Sequence, residues 1–474
     1  MGGNNLDQPP LGYHYYSTGK VGTIQSSNPN GVNVSYTHDG PNRLSTVVDN
    51  RLPSNNTTSY TYDNASNVVT VAYPNGLTST FTYDELNRLT QLSTPPIAKY
   101  NYSLGLTGNR TGSTELNEAT QTTGRTLAWT YNGISQLTNE TITGDPANND
   151  SNNGYASYTL DPVGNRTGAT STFSGISPGF GSYNPNDQIS GETYDNNGNV
   201  TRTANGNNYV YDSENHMISM SNSTTSVTMK YDAFGNRVSK AVAVAGVTTT
   251  TQYLVDDLNP TGYPQVVDEL VGPIGSAAVQ RTYTYGLQRI SQDQYISGAW
   301  LLSYYQYDGG GSVRQLTNSA GQVTDSYEYD AFGNRFTKTG TTPNNYLYRG
   351  EQYDPDLGLY YLRARYYNPV TGRFMSRDPK EFQPLKSRNN PVDSRKLHKY
   401  LYASSDPVNL EDPTGEASLG QYLSALLLSV SLAIGGPAGE AELPHVEVEV
   451  EYMFEEAEKV LENLPIPGPP TPGP

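Results

Sequence analysis

The most strongly patterned stretch of the chain reads YLYRGEQYDPDLGLYYLRARYYNPVTGRFMSRDP over residues 346–379 and ends with LYASSDPVNLEDPTG at residues 401–415. No other part of the sequence is as dense in Tyr, Arg, Asp, Pro and Gly in a fixed order. The sequence before it is repetitive, and the sequence after it has a different composition. The stretch therefore marks the point at which a repetitive region gives way to a different kind of segment.

The overall composition favours an extended repetitive fold. The chain has 474 residues, too many for one ordinary hydrophobic core, yet only 34% are hydrophobic and the mean hydropathy is -0.62. Disorder is the other interpretation, but 39 tyrosines and a charged fraction of 16% argue against it. Tyr far outnumbers Phe, which suits partly wet sheets, because a Tyr ring packs while its hydroxyl stays hydrated or bonded.

A unit of the form Y-x-Y-D-x-x-x-N/G, followed by apolar residues, recurs before residue 346. Clear copies are YTYDNASNVVTV from Tyr60, FTYDELNRLTQL from Phe81 and YEYDAFGNRFTK from Tyr327. Neighbouring copies lie about 20 residues apart, which indicates a repeat of one small structural unit.

Each copy predicts a β-hairpin. Tyr-x-Tyr puts both rings on one face of a strand, and the Asp begins a turn by accepting hydrogen bonds from backbone amides two or three residues on. The Gly-Asn pair supplies residues that tolerate a positive φ, and the next apolar residues open the return strand. One copy is an ordinary hairpin, but about a dozen in one register predict a long β-ribbon of the solenoid type. Because Leu and Ile are few, we expect the ribbon to spiral around a hollow polar lumen.

The sequence also argues against several classes of function. There is no Cys, so no disulfide frame or thiol chemistry is expected, and a net charge of -17 argues against nucleic-acid binding. The first residues lack the basic start and apolar core of a signal peptide, so any export is expected to use another route. The longest apolar run, residues 422–434, is too short to span a membrane. We expect no cofactor and no metal site.

The repeats and the opening stretch resemble the YD-repeat or Rhs family. The resemblance covers roughly residues 11–415, and residues 349–415 look like the Rhs-associated core domain. The matching motifs are R-G-E-Q-Y-D at 349–354, G-L-Y-Y-L-R-A-R-Y-Y-N-P-V-T-G-R-F-M-S-R-D-P at 358–379, L-Y-A at 401–403 and D-P-T-G at 412–415. The resemblance implies an all-β fold with three parts. They are a hollow YD-repeat shell, or cocoon, at 1–348, a core domain that closes it at 349–415, and a variable, partly helical tail at 416–474.

The same resemblance implies a role and a site. In bacterial polymorphic toxins and the C components of insecticidal toxin complexes, such a shell encloses a variable C-terminal effector, and the core domain cuts the chain once. The cut follows D-P-x-G plus one apolar residue, so the scissile region here comprises Gly415, Glu416 and Ala417. The residues on which the family's cleavage depends map by motif to Arg365, Asp378 and Asp412.

The chemistry of these residue types agrees with that mapping. Two neighbouring carboxylates do not both ionise readily, so one holds a proton and acts as an acid while the other activates water. An Arg holds one carboxylate or stabilises a developing oxyanion. The ordinary interpretation is that Asp-Pro is only a turn signal, since it occurs six times in this chain.

Two features near Asp412 depart from the family pattern. Glu416 stands where the family usually has Leu or Met, and the interval from Asp378 to Asp412 is longer than usual. The extra material lies within residues 380–399, here called the basic insert, which carry six Lys or Arg and two acidic residues. The tail carries ten Glu and one Lys and shows no enzyme-like constellation. We therefore expect the acidic tail to contact the basic insert.

Three functions remain open from sequence alone. The first is a shell that encloses or presents its own C-terminal tail and cleaves itself once by an aspartic mechanism, with a toxin-delivery or assembly partner. The second is a non-enzymatic cell-surface or adhesion protein, as in the animal teneurins, with a protein or glycan partner. The third is a shell whose cleavage has been lost. The first two imply a secreted or cell-surface location.

Overall fold

The computed structural model describes residues 11–416, except 55, 121, 145–152, 174–175, 177, 274 and 380–397, together with residues 419–420. Nearly all of the basic insert, most of the tail and Ala417 therefore lie outside the described residues. The expected contact between tail and insert and the expected helical content of the tail lie there too.

The first fourteen strands form one antiparallel sheet, the first sheet, in which each strand pairs with its neighbour in the chain. They are β1 (Leu11–Tyr15), β2 (Val21–Ser26), β3 (Asn33–His38), β4 (Leu44–Asp49), β5 (Thr57–Tyr62), β6 (Val68–Ala72), β7 (Thr78–Tyr83), β8 (Leu89–Thr94), β9 (Ala98–Leu104), β10 (Arg110–Asn117), β11 (Thr122–Tyr131), β12 (Leu137–Thr143), β13 (Gly154–Leu160) and β14 (Arg166–Ser171).

The next fourteen strands form the second sheet, again in chain order. They are β15 (Thr193–Tyr194), β16 (Val200–Arg202), β17 (Asn208–Tyr211), β18 (Met217–Ser221), β19 (Thr225–Tyr231), β20 (Arg237–Val244), β21 (Val247–Asp256), β22 (Gln265–Val271), β23 (Ala278–Tyr285), β24 (Arg289–Ile296), β25 (Ala299–Tyr307), β26 (Val313–Thr317), β27 (Val323–Tyr329) and β28 (Arg335–Thr339).

Residues 349–415, here called the core segment, contribute smaller elements. Strands β29 (Gln352–Asp354), β30 (Leu359–Leu362), β31 (Arg365–Asn368) and β32 (Arg373–Phe374) form a four-stranded sheet, and β33 (Leu410–Glu411) pairs with β34 (Leu419–Gly420). Among the described residues, short 3-10 turns occupy Tyr348–Gly350, at the start of the core segment, and Tyr402–Ser405. The part of the chain that the structure describes has no α-helix, and the predicted all-β class is confirmed.

The turn that begins at Asp63 shows how a repeat makes its hairpin. Oδ1 of Asp63 accepts hydrogen bonds from the backbone N–H groups of Ala65 at 2.9 Å and Asn67 at 2.8 Å. The carbonyl of Asp63 accepts a bond from the N–H of Ser66, whose φ is 68°. The same arrangement recurs at Asp84, Asp161, Asp195, Asp212, Asp232 and Asp330. The predicted Asp-initiated turn is confirmed, but the carboxylate accepts amides two and four residues on, while the amide three residues on binds the Asp carbonyl.

The two residues of the Gly-Asn pair have different structural roles in the turn. In the Asp232 turn, Gly235 has a φ of 80°, whereas Asn236 donates its side-chain Nδ2 to Oδ2 of Asp232 at 3.1 Å. Asn334 does the same for Asp330 at 2.8 Å. The expectation that both residues serve through a positive φ is therefore wrong for the Asn, which closes the turn through its side chain.

The tyrosine before the turn Asp reaches back to the preceding hairpin. The hydroxyl of Tyr62 donates to the carbonyl of Leu44 at 2.6 Å, and that of Tyr307 donates to the carbonyl of Arg289 at 2.7 Å. Equivalent bonds start from Tyr83, Tyr231 and Tyr329. Each hydroxyl satisfies a backbone acceptor beside a packed ring, which Phe cannot do, and this accounts for much of the excess of Tyr over Phe.

The two large sheets contact each other at residues far apart in the sequence. The hydroxyl of Tyr13 in β1 donates to Oδ1 of Asp256 in β21 at 2.9 Å, across 243 residues. The N–H of Val32 donates to Oδ1 of Asp268 in β22 at 2.9 Å, across 236 residues. The ribbon therefore turns back so that its beginning lies against its middle.

The largest hydrophobic cluster joins both sheets to the core segment. It contains Tyr36 of the first sheet, Tyr305 of the second sheet and Tyr360 of the core segment, all nearly inaccessible to solvent. Ring contacts continue within the core segment, where the centroids of Tyr367 and Tyr402 are 4.2 Å apart. Tyrosine thus fills much of the space that Leu and Ile usually occupy, and the core segment is buried against both sheets.

A buried charge cluster fixes the core segment to the second sheet. Asp354 accepts hydrogen bonds from Arg237 and, at 2.7 Å, from Nζ of Lys240. Burial alone would raise the pKa of Asp354, but the two cations outweigh it and lower that pKa. Because Asp354 ends β29, this cluster helps to position the neighbouring hairpin β30–β31.

Candidate active site

The hairpin β30–β31 presents Arg365. Arg365 is the first residue of β31 and follows a two-residue turn made of Arg363 and Ala364. Arg363 has a φ of 56°, a left-handed conformation of the kind that tight hairpin turns require. The guanidinium of Arg365 lies 3.7 Å from the ring centroid of Phe374, and Arg365 is only 3% exposed. Packing on that ring therefore fixes the direction of the guanidinium.

Arg365 brings both predicted aspartates together. Its Nη2 lies 3.1 Å from Oδ2 of Asp378 and 3.3 Å from Oδ2 of Asp412. The side chain of Asp412 is 2% exposed and that of Asp378 is 26% exposed. The three residues therefore form one cluster in which one carboxylate is buried and the other is accessible to water.

The D-P-T-G segment forms the same kind of turn as a YD repeat. The carbonyl of Asp412 accepts a bond from the N–H of Gly415 at 3.4 Å, and Gly415 has a φ of 71°. Oδ1 of Asp412 accepts a bond from the N–H of Glu416 at 3.1 Å. Leu410 pairs with Gly420 across this turn, so Asp412 occupies the place of the Asp in a repeat.

The peptide between Gly415 and Glu416 is held at both ends. Nε of Arg365 donates to the carbonyl of Gly415, and Asp412 binds the N–H of Glu416. A Cβ at position 415 would overlap the backbone oxygen of Leu362, so only glycine allows this close approach. Among the residues of the predicted scissile region, Gly415 and Glu416 are thus at the cluster.

The sequence reasoning missed three residues that build the site, namely Arg363, Glu351 and Phe374. Nη1 of Arg363 donates to the carbonyl of Pro413 and lies 3.0 Å from both carboxylate oxygens of Glu351. Arg363, Glu351 and Phe374 all lie inside the family motifs quoted above. Their only visible signal is the R-A-R spacing, which places an Arg on either side of Ala364.

The electrostatics of the site suit hydrolysis of a peptide bond. Burial lowers the pKa of Arg365, while Asp412, Asp378 and Glu416 oppose that change. The guanidinium nevertheless stays charged, because the pKa of Arg lies far above neutrality. One buried cation therefore faces two carboxylates and one peptide carbonyl, a combination that can polarise the carbonyl and handle protons.

The profile of the teneurin YD-shell family matches residues 8–145 and 298–408, more than half of the chain. The chain belongs to this family of YD-repeat, or Rhs, shell proteins. The family resemblance predicted from the motifs is confirmed.

Bacterial relatives match part of the chain. The tRNA nuclease WapA of Bacillus subtilis is 33% identical over 272 residues, which are 54% of this chain and 11% of that protein. The tRNA3(Ser)-specific nuclease WapA of Bacillus spizizenii is 34% identical over 280 residues, with the same two coverages of 54% and 11%. The chain thus spans about a tenth of the length of these relatives.

Solved structures share the fold. TcdB2-TccC3 without its hypervariable C-terminal region superposes with a TM-score of 0.68 at 19% identity, covering 85% of this chain and 21% of that chain. The Tc holotoxin pore of Photorhabdus luminescens gives a TM-score of 0.68 at 19% identity, covering 91% and 21%. The chain therefore has the fold of a part of these toxin-complex chains.

Two further findings concern the described part of the chain. None of its helices is long and apolar enough to cross a membrane. It also shows no group of three or more His, Asp or Glu residues that could hold a metal ion.

Proposed function

We propose that this protein is an Rhs-type shell that encloses or presents its own C-terminal region and cuts its chain once, just after D-P-T-G. The observation that carries the proposal is the cluster in which the Arg365 guanidinium contacts Asp378, Asp412 and the carbonyl of Gly415. The fold shared with TccC3-containing assemblies supports the shell.

The proposal divides the chain into three working parts. Residues 1–348 form the wall, residues 349–415 close it, and residues 416–474 are the enclosed or displayed tail. The protein acts as a secreted or cell-surface component, and its partners are its own tail and a toxin-delivery or assembly protein. The burial of the core segment against both sheets supports this division.

The proposed reaction is hydrolysis of the Gly415–Glu416 peptide bond. This bond lies one residue before the one that the family pattern implies, and it is chosen because Arg365 contacts the Gly415 carbonyl. Arg365 polarises the Gly415 carbonyl and stabilises the oxyanion that forms on it. Asp378, the more exposed carboxylate, takes a proton from a water molecule whose oxygen attacks the carbonyl carbon. The new C–O bond forms and the C–N bond to Glu416 then breaks.

Asp412 supplies the proton for the leaving amine. Its Oδ1 lies 3.1 Å from the backbone nitrogen of Glu416. In the intact peptide this nitrogen donates to Asp412, but after attack it loses amide resonance and becomes basic. The proton that Asp378 takes from water passes to Asp412, which delivers it to the nitrogen, so both carboxylates end in the ionised state in which the shared Arg365 cation holds them.

Intact-mass measurement of the purified full chain tests the proposal. We expect the wild type to yield a fragment that ends at Gly415, and Asp378→Asn to remain whole. Asp161→Asn is the matched control, because Asp161 also precedes a proline but serves an ordinary repeat turn, and this variant should still be cut. A whole wild-type chain, or cleavage that persists in Asp378→Asn, would contradict self-cleavage at this site, and a fragment that ends at Glu416 would contradict the choice of the Gly415–Glu416 bond.

A non-enzymatic display function is the second candidate, and Glu416 is the observation that favours it. The Glu416 carboxylate lies near Arg365, and the residue stands at a position for which the family pattern has an apolar residue. If Glu416 only slows the reaction, Glu416→Leu should speed cleavage by roughly tenfold, since it removes a competing carboxylate from the cation. If neither the wild type nor Glu416→Leu is cut, the remaining function is a non-enzymatic shell that is displayed to protein or glycan partners.

A further inference from the structure

Three consecutive residues, the two of the β30–β31 turn and the first of β31, bind three consecutive carbonyls of the D-P-T-G turn. The bonds run from Arg363 to Pro413, from the N–H of Ala364 to Thr414 at 3.2 Å, and from Arg365 to Gly415. We call residues 363–365 the clasp. The candidate scissile carbonyl is the last of the three, so its position depends on the other two bonds.

Arg363 is the part of the clasp that is tied to the rest of the molecule. Its Nη1 lies 3.0 Å from both carboxylate oxygens of Glu351, and its Nε donates to the carbonyl of Pro264 at 3.0 Å. Pro264 directly precedes β22 of the second sheet, and Glu351 directly precedes β29. The Arg363 guanidinium therefore connects the D-P-T-G turn with the second sheet and with the start of the core segment.

The pair of Arg363 and Glu351 is largely buried, which makes its geometry well defined. The two side chains are 12% and 13% exposed. A buried Arg–carboxylate pair is rigid when both oxygens are bound, and loss of one partner leaves an uncompensated charge. The chemistry itself belongs to the neighbouring Arg365, which contacts the Gly415 carbonyl and both aspartates.

We propose that Arg363, held by Glu351 and Pro264, is a positioning residue for self-cleavage, because it sets where the Gly415 carbonyl lies on Arg365. This inference rests on the function proposed above. A displacement of about 1 Å in attack geometry costs on the order of 10²-fold in rate. Freeing the Pro413 carbonyl from Arg363 permits a displacement of that size in the D-P-T-G turn.

The first arm of the test measures cleavage rates in the full chain. Arg363→Met, Arg363→Lys and the double variant Arg363→Met/Glu351→Gln are refolded from urea, and the fraction cut is followed by intact mass at a series of pH values. The double variant removes both charges, so slow cleavage in it does not stem from an orphaned buried carboxylate.

We expect Arg363→Met and the double variant to cleave about 10²-fold more slowly at every pH, with an unchanged shape of the pH–rate profile. The shape is unchanged because the groups that exchange protons are untouched. Arg363→Lys should restore little, since a point charge cannot bridge Pro413, Glu351 and Pro264 at once. Cleavage of the double variant at the wild-type rate overturns the proposal.

The second arm does not depend on cleavage. Hydrogen exchange of the Ala364 and Glu416 amides is compared in Asp378→Asn with and without Arg363→Met, and we expect roughly tenfold faster exchange without the Arg. Unchanged exchange at both amides overturns the positioning role. If the wild type is never cut, the proposed function fails, yet this arm still decides whether Arg363 holds the turn.

Arg43→Met is the matched control for both arms. Arg43 also bonds a carboxylate, that of Asp39, and a backbone carbonyl, that of Asp63. It lies in a repeat turn of the first sheet, so its loss should change neither the cleavage rate nor the exchange of the Ala364 and Glu416 amides.

Discussion

The turn at Asp63 and the turn at Asp412 share a backbone arrangement and differ in the partner of one carboxylate oxygen. In both, Oδ1 accepts the N–H of the residue four places on, at 2.8 Å from Asn67 and 3.1 Å from Glu416. Oδ2 of Asp63 accepts a bond from the Asn67 side chain at 2.9 Å, within the same turn. Oδ2 of Asp412 instead faces Arg365 from another hairpin.

The difference shows how a structural turn can become a candidate reactive one. In the repeats, the side chain of an Asn or Arg four residues after the Asp donates a hydrogen bond to Oδ2 within the same turn, as Asn67 and Arg88 do. Glu416 cannot donate in this way, so Asp412 depends on a cation supplied by the fold. That cation also binds Asp378, and two carboxylates are thereby brought to one peptide carbonyl.

Removing the carboxylate from each turn should separate the two roles most strongly. We expect Asp412→Asn to slow cleavage by roughly 10³-fold, because it removes a proton donor, and Asp63→Asn to leave cleavage unchanged. An Asn oxygen can still accept the backbone bonds, so both variants should fold. Intact mass and urea unfolding check these outcomes, and a block of cleavage by Asp63→Asn would show that the chemistry is not confined to D-P-T-G.

Asp256 is a third case, in which the second carboxylate oxygen has no cation. Oδ1 accepts bonds from Leu258 and Tyr13, while the buried Oδ2 has no partner within the described residues. Burial raises the pKa of Asp256 from 3.8 to about 6. Because the folded pKa is raised, the stability that Asp256 contributes is complete below its ordinary pKa and is lost as the pH rises through 6.

Asp256→Asn should remove this pH dependence. Between about pH 4 and about pH 8, we expect the free energy of unfolding of the wild type to fall by about 3 kcal/mol relative to the variant. The exposed Glu85, changed to Gln, is the control and should follow the wild type. Urea unfolding at a series of pH values gives the comparison, and parallel curves for wild type and Asp256→Asn would refute it.

The two kinds of turn also differ in the space at the residue with a positive φ. Gly76, in an ordinary turn, has a φ of 85° and open space where a Cβ would lie, whereas a Cβ at Gly415 would meet Leu362. We expect Gly76→Ala to cost about 1 kcal/mol of unfolding free energy and Gly415→Ala to cost about 2 kcal/mol, with slower cleavage. Equal costs in urea unfolding would mean that the clasp does not hold its turn tightly.

The tyrosine hydroxyls provide the smallest expected effect. Tyr62→Phe removes one bond to the Leu44 carbonyl, and we expect a loss of about 1 kcal/mol in unfolding free energy without any change in cleavage. Tyr155→Phe is the control because Tyr155 is 42% exposed. If thermal unfolding shows the same midpoint for both variants, the hydroxyl bonds do not contribute to stability.

The hairpins were predictable because their information lies within a few residues. The turn that begins at the Asp can be read from one copy of the repeat, although its carboxylate accepts amides two and four places on, as at Asp63, and not two or three. The separate roles of Gly235 and Asn236 could not be read in this way. Both residue types tolerate a positive φ, and the side-chain bond from the Asn depends on the folded turn.

The site was only partly predictable, and for a different reason. Six Asp-Pro pairs look alike, so Asp378 and Asp412 were singled out by their resemblance to family motifs and not by local physics. Arg363 and Glu351 are brought together by the path of the core segment, and no periodicity marks such a contact. The bond from Tyr13 to Asp256, across 243 residues, was beyond sequence reasoning for the same reason.

The backward-reaching hydroxyl bonds have a consequence for how the chain is made. The bond from Tyr62 spans 18 residues, that from Tyr83 spans 15 and that from Tyr231 spans 14. Contacts of such short range form quickly, and a nascent chain folds from its N-terminal side during synthesis. Each hairpin can thus settle on the one already made as it leaves the ribosome. The core segment is translated later and therefore packs against sheets that have already formed.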